Sequence, residues 1–324
     1  MVWFEMFSFK GWKGLSLALV MLMGIAFTIS GTAASKVSAA ASTKVINYNG
    51  AKYTVPIRTV KIVIVGSFEA MEDALVLNFK PLGAPQVGGK FPAIFSSITS
   101  GVTGIGEKTQ PNFETILKLH PDIILSSTKF PEETNKKLAK IATTIPVSHV
   151  SSDWEDNLTL LANLTGIKAK ATQAITQYKN SLADAKLKLS SKLKGKSAVA
   201  LRIRTGNLFI YQQDLFFNPS LYADLGAPVP SIISKAKAQE EISLEKFAGT
   251  NPDYIFLQFS ADENVDQPKA LENLKKNPIW KSLKAVKNGN VFINLVDPLA
   301  QGGTAYSKIN FLNALKKTKL YTGK

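Results

Sequence analysis

Residues 114–125, ETILKLHPDIIL, have a counterpart at 245–257, EKFAGTNPDYIFL. In both, a glutamate stands seven residues before a Pro-Asp pair, and the pair opens an apolar run. A proline ends a helical pattern, and a short, continuously apolar run reads as a strand buried on both faces. Two helix–turn–strand units in matching register constrain the chain to two α/β halves of related design.

The surrounding pattern agrees. KIVIVG (61–66) reads as a buried strand, SFEAMEDALVL as the helix after it, and IPVSHV (145–150) as a further strand. Strands alternating with helices imply a parallel sheet. In SSDWEDNLTLLANLTG (151–166), Ser152 and Glu155 match a capping box. A second helical stripe follows Gly166, with Ala171, Ile175, Tyr178, Leu182 and Leu189 on or near one face, and runs to about Leu193. Some 25 helical residues span roughly 35–40 Å, long enough to join two lobes. The α/β pattern then resumes, with strands at 196–204, 208–211, 253–259 and 290–295 and helices at 218–225, 243–249, 268–276 and 304–317. The expected fold is α/β: two Rossmann-like lobes, a long rigid connecting helix and a ligand cleft between the lobes. The expected divisions are a signal segment at 1–39, a tether with one short strand at 40–56, an N-terminal lobe at 57–151, the connecting helix at 152–194 and a C-terminal lobe at 195–324.

The first segment sets the compartment. Lys10 and Lys13 precede the apolar run LSLALVMLMGIAFTI (15–29), and small residues follow. This is the order of a secretory signal, and the run is short for a membrane span of about 20 residues. Export argues against a nucleic-acid partner. The chain has no cysteine, so its cores hold the fold without disulfides.

Charge indicates the kind of partner. Lysine and arginine number 39 against 24 acids, a formal net charge of +15 that favours an anionic ligand or surface. In LRIRTGNLFIY (201–211), Arg202 and Arg204 share one face of a strand whose other face carries Leu201 and Ile203. Such a pair needs an anion, from the protein or from a ligand. Lys108 and Lys129 stand just past or beside strand ends, and Lys237 and Gln239 lie in the loop KAKAQE. A catalytic constellation is missing from the sequence: it has no cysteine nucleophile, G-x-S-x-G elbow or Walker phosphate loop. His120 reads as a turn residue and His149 as packing, so no ligand-spaced metal cluster is expected. A metal would arrive inside an organic ligand. Cations from both lobes around one cleft suit a compact trianion, and arginine also stacks on aromatic faces. A ferric tris-catecholate has both properties. Carboxylate or hydroxamate siderophores, haem (with Tyr211 or Tyr306 as axial candidates), a corrinoid, or diffuse binding to anionic wall polymers are the alternatives. Removing both arginines is expected to weaken siderophore binding tenfold or more, about 1.4 kcal/mol, with thermal stability kept or raised.

Seven segments carry a resemblance: KIVIVGSFEAMEDAL (61–75), GEKTQPNFETILKLHPDIILSSTKF (106–130), RIRTGN (202–207), AKAQEEISLEKF (236–247), NPDYIFLQFSADEN (251–264), NPIWKSLKAV (277–286) and DPLAQGGTAYSK (297–308). From about residue 45 onward the chain resembles the iron-siderophore solute-binding proteins of ABC importers, most of all the ferric bacillibactin and enterobactin binders of Gram-positive bacteria. The resemblance implies that Lys108, Lys129 and Arg204 form a basic triad for the catecholate oxygens. Arg202, Lys237 and Gln239 would lie around the triad, with Lys90 a weaker candidate. It further implies that Glu114 and Glu245 dock on a permease served by a cytoplasmic ATPase. The protein would be a monomer with no cofactor of its own, and its ligand the Fe(III)-siderophore. Relatives of this kind are usually lipoproteins, and Thr32 stands where their lipid-bearing cysteine would be. The expected location is extracytoplasmic, at the cell envelope or secreted.

Overall fold

The structure, a computed structural model, describes residues 42–58 and 61–323. The expected signal segment and Thr32 lie outside the described residues. The chain from 42 opens with a hairpin, not one strand: β1 (Thr43–Tyr48) pairs antiparallel with β2 (Ala51–Pro56). Asn49 and Gly50 make the turn, both at positive φ (48° and 74°). That is the backbone a tight turn between right-twisted strands requires.

The first five-stranded sheet contains β3 (Ile62–Ile64), β4 (Gly83–Gln86), β5 (Thr103–Glu107), β6 (Ile123–Ser127) and β7 (Thr143–Val147), in the order β5-β4-β3-β6-β7. All its pairings are parallel. Ile62, Val63, Ile64 and Val65 are fully buried. Each contributes about 1.5–3 kcal/mol of transfer free energy, so the short run suffices to fix the central strand.

The second sheet contains β8 (Ala198–Arg204), β9 (Asn207–Tyr211), β10 (Gln239–Ile242), β11 (Tyr254–Phe259) and β12 (Val291–Ile293), in the order β10-β9-β8-β11-β12. Here β8, β11 and β12 are parallel, β9 turns back antiparallel on β8, and β10 pairs antiparallel with the outer side of β9. Gln239, expected in a loop, therefore opens an edge strand. The expected helix at 218–225 is a π-helical turn, Ser220–Asp224.

The repeat that opened the sequence has a shared hydrogen-bond pattern. The Lys61 N–H donates to Asp122 Oδ2 at 3.0 Å, and the Asp122 N–H returns a bond to the Lys61 carbonyl at 2.8 Å. In the second half the Ser197 N–H donates to Asp253 Oδ2 at 2.9 Å, and the Asp253 N–H to the Ser197 carbonyl at 2.8 Å. Each Pro-Asp aspartate thus fastens the start of its strand to the chain entering the central strand of that lobe. The preceding helices are Phe113–Lys118, capped by Asn112, and Leu244–Ala248, capped by Ser243.

Between the sheets lie a helix at Trp154–Thr165 and the strut, Lys168–Leu193, separated by Gly166 in the left-handed region. The strut has 26 residues, about 39 Å of unbroken helix. Trp154 packs edge-on against Tyr178 of the strut, ring centres 5.3 Å apart. The expected capping box at Ser152 does not form. Ser151–Asp153 is a 3₁₀ turn, Ser152 Oγ bonds Asp153 instead, and Glu155 pairs with Lys179 at 2.7 Å. The closing helix, Ala305–Leu315, packs on both the strut and the first helix, Phe68–Leu77.

Candidate functional site

The two lobes bring their strand ends together. Gly66 follows the central strand of the first lobe at φ +69°. A Cβ there would lie 2.1 Å from the Phe130 ring and 2.9 Å from the Lys108 carbonyl, so the chain can pass only as glycine. Ser67 then caps the first helix by accepting from the Ala70 N–H, which places Phe68 and Glu69 in its first turn. Lys108 directly follows β5, and Lys129 comes two residues after β6. Arg204 is the last residue of β8.

Four cations stand at these strand ends and make up the candidate site. Lys108 Nζ stands 4.3 Å over the Phe68 ring and donates to Gln301 Oε1 at 3.2 Å, a contact from the first lobe to the segment before the closing helix. Burial, then the like charge of Lys129, push the Lys108 pKa down to about 8; Arg202 of the other lobe adds to this, while Glu69 and Glu263 oppose it. Lys129 pairs with the buried Glu69 at 2.6 Å. Burial alone would raise the Glu69 pKa, but Lys129 and Lys108 outweigh it and hold the carboxyl below its ordinary range.

The arginine pair finds its anion within the protein. Arg202 Nε donates to Glu263 Oε2 at 2.7 Å, and that guanidinium also stands 5.8 Å from the Phe216 ring centre. Arg204 lies 3.5 Å from the same carboxylate, and its Nη1 donates to Gln239 Oε1 at 2.7 Å. The Arg204 side chain keeps 37% of its surface open, against 5% for Arg202. Arg202 is therefore a structural partner of Glu263, while Arg204 presents an accessible guanidinium. Tyr211 lies behind them, stacked on Phe216 with centres 4.4 Å apart. The pair is not remote from the other lobe, since the charge of Arg202 acts on Lys108.

Lys108, Lys129, Arg202, Arg204 and Gln239 thus belong to one neighbourhood. Lys237 is exposed, and its backbone N–H donates to Glu240 Oε2 at 3.4 Å. Lys90 is exposed in a turn whose Gly88 and Gly89 N–H groups donate to Glu107. Glu114 and Glu245 are exposed, each in the first turn of its helix, and Glu114 also meets Lys118 at 2.6 Å. His120 is exposed at φ +46°. His149 accompanies the site: its Nδ1 lies 2.8 Å from Thr128 Oγ1, and burial, then Lys129, lower its pKa. Among the described residues no group of three or more histidine, aspartate and glutamate side chains is placed to hold a metal ion.

Sequence reasoning missed the two carboxylates, Glu69 and Glu263, and the amide of Gln301. A signal for the first existed in FEAMEDAL (68–75), which places three acids at the start of a helix that follows a buried strand. Four cations and two carboxylates leave an uncompensated positive balance beside phenyl faces, which can neutralise a compact anion with aromatic outer surfaces.

A fold of two α/β lobes with such a site at their meeting edges defines the class of solute-binding proteins. The chain belongs to the periplasmic binding protein family, whose model matches residues 82–294. It is 50% identical over 309 residues to the iron-uptake system-binding protein of Bacillus subtilis (strain 168), covering 93% of this chain and 97% of that protein. It is also similar to the crystal structure of the triscatecholate siderophore binding protein FeuA from B. subtilis complexed with ferri-bacillibactin. There the TM-score is 0.83 and the identity 52%, over 87% of this chain and 99% of that one. The periplasmic catecholate-siderophore binding protein VctP from Vibrio cholerae shares the fold at 18% identity, with a TM-score of 0.70 over 86% of this chain and all of that one. These relatives are binding proteins, and so is this chain; it is not an enzyme.

Proposed function

We propose that the chain captures a ferric tris-catecholate siderophore of the bacillibactin or enterobactin type outside the cytoplasm and presents it to an ABC permease. Lys108, Lys129 and Arg204 meet the catecholate oxygens, Gln239 orients Arg204, and Arg202, held by Glu263, lies around this triad with Lys237. The single observation that carries this reading is the convergence of ammonium and guanidinium groups from both lobes beside the Phe68 and Phe216 rings. Charge-assisted contacts to such a trianion contribute roughly 1.5–3 kcal/mol each where water is excluded. The likeness to the FeuA complex with ferri-bacillibactin supports the same ligand class.

Glu114 and Glu245 are the permease contacts in this reading. They hold equivalent places in the two repeats, both exposed. The working division is a first lobe at 57–151, a connector at 152–194 and a second lobe at 195–324, and the protein acts as a monomer. Residues 1–39 direct export.

Tryptophan-fluorescence quenching tests the ligand. Submicromolar binding of ferric bacillibactin or ferric enterobactin, with none for ferrioxamine or ferric citrate, is the expected result. Tighter binding of ferric citrate or ferrioxamine overturns the catecholate assignment. Loss of all binding at moderate salt points to diffuse charge instead.

A further inference from the structure

The lysine pair of the first lobe raises a physical difficulty. Lys108 is largely buried and faces two like charges, Lys129 from its own lobe and Arg202 from the other. A buried ammonium beside two cations favours its neutral form. A neutral amine is a poor partner for an anion. The groups facing Lys108 that offset this are Glu69 from the first helix and Glu263 from the second lobe, with the Phe68 ring and Gln301 Oε1 as uncharged neighbours.

Glu263 is committed to the arginines, at 2.7 Å from Arg202 and 3.5 Å from Arg204. Glu69 has a different placement. Only 5% of it is exposed, in the first turn of a helix whose preceding residue is held by Gly66 and capped by Ser67. The N-terminal end of a helix favours a carboxylate. One oxygen, Oε1, takes the Lys129 ammonium at 2.6 Å. The other is buried without a hydrogen-bond partner in the structure. The charged groups around Glu69 are Lys129 and Lys108 in its favour, and Glu72, Asp73 and His149 nearby. A rigid buried carboxylate beneath two ammonium groups acts as a fixed counter-ion.

We propose that Glu69 is a positioning residue for the anion site: it anchors Lys129 and supplies the counter-charge that lets Lys108 face Lys129 and Arg202 as a cation. The role rests on the siderophore reading only for what the lysines finally grip, since the coupling of the three groups exists in the ligand-free protein. Removing the carboxylate has two opposed effects on a trianionic guest. Repulsion falls at every pH, while Lys108 loses its proton at lower pH. Only the second moves a pH profile, so the midpoint is the diagnostic quantity.

The test follows the Lys108 side chain by 13Cε chemical shift in the ligand-free protein, for wild type, Glu69→Gln and Glu69→Asp. The wild type is expected to titrate near pH 8. Glu69→Gln is expected at least one unit lower and Glu69→Asp close to wild type. With ferric enterobactin as probe, the ratio of affinity at pH 6 to that at pH 8 is expected to rise about fivefold in Glu69→Gln for a midpoint one unit lower, from about 2 to about 10. An unchanged Lys108 midpoint in Glu69→Gln overturns the role of Glu69, whatever ligand is bound. A shifted midpoint in a protein that binds no catecholate overturns the ligand assignment and leaves the coupling standing. If Glu69→Gln does not fold, wild type alone decides. Acidification through the Glu69 titration, below the ordinary carboxylate range, must move the Lys108 and Lys129 signals together, and their silence there overturns the proposal.

Discussion

Arg202 Nε and Glu263 Oε2 lie 2.7 Å apart, with only 5% and 16% of their side chains exposed. Breaking a buried pair leaves an uncompensated charge, whereas removing a half-open cation does not. Arg202→Ala is therefore expected to lower unfolding free energy by about 3 kcal/mol, read by denaturant titration. This prediction opposes the sequence expectation that stability is kept or raised when both arginines are removed, because Glu263 would be left without its buried partner.

Arg204→Ala separates binding from stability. Its guanidinium is more open and held mainly by Gln239. Stability is expected to change by less than about 1 kcal/mol, and ferric enterobactin affinity to fall tenfold or more. Calorimetric titration beside thermal melting checks both. Unchanged affinity removes Arg204 from the site.

Glu72 predicts how stability depends on pH. It is fully buried in the first helix and accepts from the Ser307 hydroxyl at 2.5 Å, from the Thr304 hydroxyl, and from the Gln301 N–H at 2.7 Å. Burial outweighs these bonds and raises its pKa from 4.5 to about 7. The folded state thus holds this proton more tightly than the unfolded chain. The stabilisation is complete below about pH 4.5 and is lost as pH rises through about 7. The full swing is about 3 kcal/mol. Glu72→Gln is expected to flatten the decline between pH 5 and 8 in thermal melts. An equally steep decline in the variant assigns it elsewhere.

Gly302→Ala tests how the second lobe seats its aromatic wall. Gly302 has φ +85°, and a Cβ there would lie 2.5–2.8 Å from backbone atoms of Phe216 and Phe217. Backbone cannot yield as a side-chain tip can. The substitution is expected to cost about 2 kcal/mol or more, and to weaken ligand binding through displacement of Phe216.

Glu114→Arg and Glu245→Arg test docking. Both positions are exposed and outside the cation cluster. Siderophore affinity is expected to stay within about twofold, while uptake by cells carrying either variant is lost, since charge reversal turns an acidic docking contact into a repulsive one. Normal uptake in both removes the docking role.

What could be read from the chain follows from how local each determinant is. The Pro-Asp echo, the strut and the shared face of Arg202 and Arg204 depend on residues close in sequence, so periodicity and spacing revealed them. The hairpin at Asn49-Gly50 is equally local, since Asn-Gly between alternating runs is a strong turn signal, yet the sequence reading gives this stretch a tether and one short strand where the chain forms two. Glu263 meets Arg202 from 61 positions away, and Glu69 meets Lys129 from 60. No local rule selects which acid closes on which base, because tertiary packing decides it. The capping box failed for the opposite reason. Its two letters were right, yet the chain takes a 3₁₀ turn first and sends Glu155 to Lys179.

Glu72 also sets a mechanical limit. Its carboxyl joins the first helix to the loop and cap of the closing helix, close to the Lys108–Gln301 contact. Two halves riveted at that point behave as a calliper of preset gauge. Admission is then decided by the girth of the guest, and little ordering entropy remains to be lost on capture.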